Sequence, residues 1–375
     1  ELSKTIDNAY YQKFKDNNCY QNEIYLSLIL KGMSSSKYGK LDNFLSKILA
    51  KKNKSNNKSY KSHKAYFTQN NIAELTRARD QLVASLEIFG PQVLGEFDQK
   101  NNLSEVMSFF ASFINSFGNN YNNKFAYPSF AKNLYPNMNL AYYISARRIF
   151  FGKTIEFQSL DSEPNLYASM LSVKLYPANT SADMLDNLLN IDSEFILTNH
   201  FAIEPNDVAQ KKISKQIIRL DNSNDPAISQ QLDLESCQDA LASDKIKVGK
   251  HQNTLMIFAN NLDSLNKNIQ QAVKIYAEAG IILIQESIGQ EAAFWSQLPG
   301  NMQHIVRATL VTSFNYIDFC PLHNYHTGLF KQNHLQQPVA LLQSPAKTPI
   351  FFHFHAKGSG DLNDFTPGHT TIIGG

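Results

Sequence analysis

The residues with the most specific chemistry stand at the end of the sequence. His369-Thr370-Thr371-Ile372-Ile373-Gly374-Gly375 is a short β-rich run leading into glycines. A buried strand followed by G-x-x-x-x-G-K-[ST] forms a phosphate-binding loop, because glycines let backbone N–H groups and a helix N-terminus close around phosphate. Gly374 would be the first position of such a loop and Gly375 the next. The lysine that contacts phosphate and the hydroxyl residue that holds magnesium are not among the 375 residues, and no acidic partner for that metal is recognisable. On these seven residues alone, a strand with a glycine turn is the favoured reading.

Other residue types invite other chemistry. His323, His326, His334, His353 and His355 fall in one window, and a His-x-His pair can bind metal. His353 and His355 would share one strand face, but no Cys or carboxylate stands nearby at zinc-like spacing. Satisfied or exposed histidines are therefore favoured over a metal site, which needs supporting partners. Between Lys37 and Lys64 there are nine lysines against one acid, Asp42. This run reads as a solvated loop, as a contact for anionic lipid headgroups, or as a nucleic-acid contact in which Tyr60 and Tyr66 could stack on bases. Cys19, Cys237 and Cys320 are far apart and odd in number, which fits reduced thiols better than disulfides.

The elements that would position these groups follow from composition and periodicity. Of 375 residues, 43% are apolar and 18% charged, enough for a core of one large unit or two domains. The net charge of +2 argues for no particular partner. No run of about 18 apolar residues exists to cross a membrane, and no signal peptide is recognisable, although Glu1 is not a natural initiator. A polar helix is expected around Tyr10 to Asp16, a strand over Ile24 to Leu30, and a mobile loop over Lys51 to Lys64. Helices are expected over Asn71 to Gly90 and Leu103 to Phe117, the latter closed by Gly118, with a surface excursion from Tyr121 to Tyr143.

The second section predicts a regular alternation. Strands are expected over Tyr167 to Tyr176, Phe195 to Ile203, Leu255 to Ala259 and Ile281 to Ile284. Helices are expected from Ser181 to Leu189, from Pro205 to the polar break at Asp221 to Asp225, and from Leu262 to Ala279, where Gly280 ends the last. This order predicts an α+β fold with mixed or antiparallel sheets, helices on one face and ferredoxin-like elements. Beyond Glu286 come Phe294 to Asn301, a helical stretch containing Arg307, and strands at Val339 to Leu342, Ile350 to His355 and His369 to Ile373. Trp295, the single tryptophan, reads as a packing anchor ahead of the Pro299-Gly300 turn or as part of a subunit interface.

The block Ala293-Phe294-Trp295-Ser296-Gln297-Leu298-Pro299-Gly300-Asn301 resembles a segment that precedes the phosphate-binding loop in the VirB/CagE/TrbE family of type IV secretion and conjugation ATPases. Arg307, Ser313-Phe314-Asn315-Tyr316, Pro321-Leu322-His323 and Gly328 follow in the family's order. Thr348 to His355 and Gly368-His369-Thr370 then lead to Gly374. The resemblance is clearest from Asn253 to Gly375. A Trp-Gly pair that members often carry near Pro338-Val339 is missing, which bears on the branch of the family.

The resemblance implies an N-terminal α/β section over 1–150 with its basic loop at 37–64, an α+β section over 151–290, and a connection with the opening strands of a RecA-like ATPase domain over 291–375. It implies that the full protein uses ATP and magnesium, self-associates as a hexamer or other oligomer, meets inner-membrane components of a secretion machine, and lies peripherally on the cytoplasmic face of the bacterial inner membrane. Gly374 and Gly375 would then be ATP-binding positions, and Trp295, Leu298, Pro299, Gly300, Asn301 and Arg307 interface or structural ones. The 375 residues alone would hold no cofactor and hydrolyse no ATP. A scaffold module without a motor, or a DNA-translocating motor of the HerA/FtsK kind, are the alternatives, and the Leu298-Pro299-Gly300-Asn301 block argues against the latter.

Overall fold

A sheet drawn from residues 147 to 312 organises the larger of two units. The computed structural model describes residues 2–15, 20–30, 57–95, 105–115, 144–145, 147–159, 165–222, 228–328, 338–353 and 371. One unit comprises residues 1–24, 111–125 and 139–375, the other residues 25–110 and 126–138. The helices are α1 (Leu2–Lys15), α2 (Asn57–Ser85), α3 (Glu105–Asn115), α4 (Asn206–Asn222), α5 (Ile228–Ala242), α6 (Leu262–Glu278), α7 (Gln290–Ser296) and α8 (Ser313–Asp318). The strands are β1 (Arg147–Phe151), β2 (Ile155–Ser159), β3 (Leu166–Leu175), β4 (Phe195–Ile203), β5 (Val248–Ala259), β6 (Ile282–Gln285), β7 (Thr309–Thr312), β8 (Ala340–Gln343) and β9 (Pro349–Phe352).

Every strand pairing in the two sheets is antiparallel. β5 lies centrally, pairing with β4 through Asn199 and Asn253 and with β3 through Leu171 and Leu255. β3 carries β2 and then β6 along its other edge, and β7 continues beside β5 where β3 leaves it. β5 and β6 therefore run parallel on either side of β3, and α6 is the crossover between them. β8 and β9 form a separate two-stranded sheet.

The two central strands are apolar on both faces, so both faces need cover. Leu171, Val173, Leu255 and Ile257 pack against Leu265, Ile269, Ala272, Ile275 and Tyr276 of α6. From the alternate positions, Ala168, Met170, Met256 and Phe258 pack with Phe294 of α7, Phe157 of β2 and Phe113 of α3. Helices on one face alone, the sequence expectation, is thus corrected to helices on both. A third cluster joins Ala209 and Ile213 of α4 to Leu241 of α5 and Val248.

Local chemistry sets the ends of these elements. The side chain of Asn261 accepts from the N–H of Ser264 at 2.8 Å to cap α6, and Gly280 ends it with φ +74°, a left-handed angle that glycine adopts freely. β4 matches its expected span. β5 begins seven residues before the expected Leu255, because His251-Gln252-Asn253-Thr254 interrupts the apolar pattern while remaining in the strand and buried.

Four expectations differ. Ser181 to Leu189 forms no α-helix: Asp183 is left-handed (φ +66°), and a 3₁₀ turn over Asp186–Asn190 buries Leu188, flanked by buried Leu185 and Ile191 at three-residue spacing. Arg307 lies outside any helix, its N–H held by Gln252. Ile24 to Leu30 is described without regular secondary structure. Residues 57–64, expected as mobile loop, belong to α2, while 37–56 lie outside the described residues.

In the second unit α2 is followed by a 3₁₀ turn, Glu87–Phe89, that Gly90 closes at φ +60°. The N–H of Gly95 donates to a carboxylate oxygen of Glu105 at 2.6 Å, and the rings of Tyr25 and Phe109 pack at 4.8 Å. In the larger unit, the buried side chain of Asn115 donates to the carbonyls of Ala111 and Ile144 and accepts from the N–H of Arg147, tying the end of α3 to the start of β1. The excursion at 121–143, Gly118, and the strand at His369 to Ile373 apart from Thr371 lie outside the described residues.

Candidate functional site

Trp295, Leu298, Pro299, Gly300 and Asn301 come together at the C-terminal end of α7. Phe294 is fully buried and meets the rings of Phe113, Phe151 and Phe157, while half-buried Trp295 packs on Phe151 at 6.3 Å. Leu298-Pro299-Gly300-Asn301 is a type II turn: proline presets the first corner, Gly300 takes the left-handed second corner (φ +85°), and the N–H of Asn301 donates to the carbonyl of Leu298 at 3.1 Å. The Asn301 side chain turns back and donates to the carbonyl of Trp295 at 2.9 Å, satisfying a helix-end acceptor.

A polar network fixes this block to the sheet. The Arg307 guanidinium donates from Nε to Glu286 at 2.6 Å and from Nη2 to its other oxygen at 3.4 Å. The Glu286 side chain is 4% exposed and that of Arg307 35%. The hydrogen bond from Arg307 to Glu286 holds the guanidinium pKa above its ordinary value. The N–H of Arg307 donates to Gln252 Oε1 at 2.9 Å, and Gln252 Nε2 donates to Ser296 Oγ at 3.0 Å. Ser296 in turn donates to the carbonyl of Ala293. Buried Gln297 spans the β3–β5 pair, donating toward the sulfurs of Met170 and Met256 and accepting from Thr198 at 3.3 Å. Buried Gln290 donates to the carbonyl of Gly152 at 3.1 Å.

The opposite face of β5 carries a second network. Tyr176 Oη lies 3.0 Å from His251 Nδ1, and His251 Nε2 lies 3.1 Å from Asn199 Oδ1. Because Asn199 Nδ2 donates to the carbonyl of Phe319, its oxygen is the acceptor and His251 is protonated at Nε2. Asn253 donates to the same oxygen at 2.8 Å and accepts from Tyr276 Oη at 3.0 Å. Burial pushes His251 down to about 4, and burial raises the Tyr176 and Tyr276 phenols. The hydrogen-bonded groups of the two networks hold strands and loops in place, while the buried Oε1 of Gln290 has no hydrogen-bond partner among the described residues.

The remaining candidates separate. Gly374 and Gly375 lie outside the described residues, as do His334, His355 and Cys19. Cys237 and Cys320 are half-buried free thiols. The sequence window from His323 to His355 offers no carboxylate, yet folding brings two from far away: Nδ1 lies 2.6 Å from Asp186 and 3.6 Å from Asp183. The ligand atoms of these three side chains lie within 4.8 Å of one another. The first distance is that of a direct hydrogen bond, so the three form an ion-pair cluster, exposed at His323 and Asp183, in which the buried Oδ1 of Asp186 has no hydrogen-bond partner among the described residues. Glu286, Gln252 and the His251 network were not singled out by the sequence. The signal for the latter two is five consecutive polar residues, Lys250 to Thr254, within an otherwise apolar strand.

Comparison with known proteins brings these features together. A family model described as CagE, TrbE, VirB family, component of type IV transporter system, matches residues 92–307. The chain is 29% identical over 375 residues to type IV secretion system protein virB4 of Bartonella henselae, covering all of this chain and 44% of that protein. It is 34% identical over 208 residues to Protein virB4 of Rhizobium radiobacter, covering 55% of this chain and 26% of that one. With type IV secretion system protein virB4 of Brucella suis it shares 24% identity over 383 aligned residues, covering 98% and 43%. The chain thus spans less than half the length of these curated relatives.

Proposed function

Since the chain belongs to the CagE, TrbE, VirB family, a component of type IV transporter systems, we infer that it is the N-terminal, docking and oligomerisation part of a secretion ATPase. The observation that carries this reading is the span of the family match. Residues 92–307 take in the seven-stranded sheet up to its last strand, the α7 turn and the Glu286–Arg307 pair. The relatives named virB4 continue well beyond the aligned length. On this reading a RecA-like motor completes the protein, and Gly374 and Gly375 open its phosphate-binding loop. That loop supplies the backbone and lysine contacts to ATP, with magnesium held by its hydroxyl residue.

The order β6-β3-β5-β4, with α6 as crossover, supports reading the section over 151–290 as a ferredoxin-like unit. Such a rigid body suits docking to inner-membrane components of the machine and self-association, as a hexamer in the complete protein, on the cytoplasmic face of the membrane. No described helix is long and apolar enough to cross a membrane. Attachment on this reading runs through partners or lipid headgroups, the lysines of 37–64 included. The section over 291–375 connects this body to the motor. ATP use then drives assembly or the transfer of protein or DNA cargo.

The test compares ATP turnover. The purified chain of 375 residues is expected to show none, while the protein extended through the next domain hydrolyses ATP with a dependence on magnesium. Turnover by the chain alone, or a stop codon directly after Gly375, would overturn the reading in favour of a different enzyme or a scaffold.

A further inference from the structure

Outside the networks around β5, one surface contact joins chain segments some three hundred residues apart, and its chemistry is that of a switch. The side chain of Asn324 brackets the backbone of Asn22: its oxygen accepts from the Asn22 N–H at 2.9 Å, and its nitrogen donates to the Asn22 carbonyl at 3.1 Å. The Asn22 side chain reciprocates, donating to the carbonyl of His323 at 2.7 Å. Beside it the rings of Tyr20 and Tyr325 stack at 5.9 Å, and Tyr20 Oη donates to Asp192 at 3.3 Å. Residues 20–22 are thus strapped onto residues 323–325. The strap includes His323, whose Nδ1 faces both Asp186 and Asp183.

We propose that this strap is a pH-sensitive latch, closed when the His323 imidazolium sits between Asp183 and Asp186 and loosened when the imidazole loses its proton. The argument is electrostatic. A protonated ring neutralises two carboxylates that approach the same nitrogen. A neutral ring can keep a hydrogen bond to one of them, but it leaves two like charges facing each other without a cation. One relief is movement of residue 323, whose carbonyl holds Asn22 and whose neighbour brackets it.

Other charged groups around the strap do not supply the missing cation. Lys347 pairs with Asp192, and Asp318 of α8 accepts from Thr180. Burial raises the Tyr325 phenol to about 12, outside the relevant range. Hydrogen bonding to Asp186, aided by the charges of both aspartates, raises the His323 pKa above its ordinary value. A raised histidine contributes its stabilisation fully below its unfolded-state pKa of about 6.5 and loses it as pH rises through the folded-state value. The latch is therefore closed in mild acid and loosened in mild alkali. His251 remains neutral in the folded state across that window, because its pKa lies at about 4.

Rapid-pulse hydrogen exchange read by mass spectrometry, corrected for intrinsic rates, tests this on the whole chain. The peptide covering residues 20–30 is expected to lose protection severalfold between about pH 6 and about pH 9, while peptides of β5 do not change. His323→Gln should give the alkaline level of protection at both ends of the window, and Asn324→Ala should abolish the protection at both. Equal protection of residues 20–30 at both pH values in the native protein would overturn the proposal. So would an unchanged pH dependence in His323→Gln, with β5 protection serving to show that the variant is folded.

Discussion

Gly300 and Phe294 illustrate how single positions hold the α7 block. Alanine at Gly300 would have to keep φ at +85°, a conformation that costs an L-residue about 1–2 kcal/mol. Gly300→Ala should therefore lower stability by that order in chemical denaturation, without a change in denaturant slope. Phe294 is wholly enclosed by aromatic neighbours, and Phe294→Ala should cost about 3–5 kcal/mol through lost contacts and a residual cavity. Arg307 presents a subtler case, because its head is partly in water while Glu286 is not. Arg307→Ala should cost about 1–3 kcal/mol, most of it from leaving the buried carboxylate unpaired. The sequence alone predicts a helix at Arg307, since nothing local announces that its partners stand 21 and 55 residues earlier at Glu286 and Gln252.

Among the elements, those with clear local signals were legible. α6 is expected from its span and its terminal glycine, and β4 matches the run before Pro205. β1 and β2 went unread although Ile149, Phe151, Ile155 and Phe157 alternate toward one core, and β5 was read short because its middle is polar. That polar middle has a measurable consequence. The unfolded chain protonates His251 near pH 6.5, whereas the folded chain resists protonation down to about pH 4. Stability should therefore fall as pH drops through that interval, by roughly 3 kcal/mol from this residue. Thermal unfolding between the two limits checks the sign, and His251→Gln should flatten the slope. The 3₁₀ turn that replaced the expected helix after β3 was hidden for another reason: a left-handed aspartate at 183 cannot be told from an ordinary one by residue type.

At the scale of the molecule, the sequence resemblance and the family match overlap over residues 253–307, while Gly374 and Gly375 lie outside the described residues. On the proposed reading, the sheet and the α7 block form a docking body for a motor. Membrane fractionation of the complete protein, with and without residues 1–375, tests this most directly. The intact protein should recover with the inner membrane in cells that contain the other secretion components. The motor alone, shown to be folded by its nucleotide binding, should move to the soluble fraction. Equal membrane recovery of the motor without these residues would contradict the docking role.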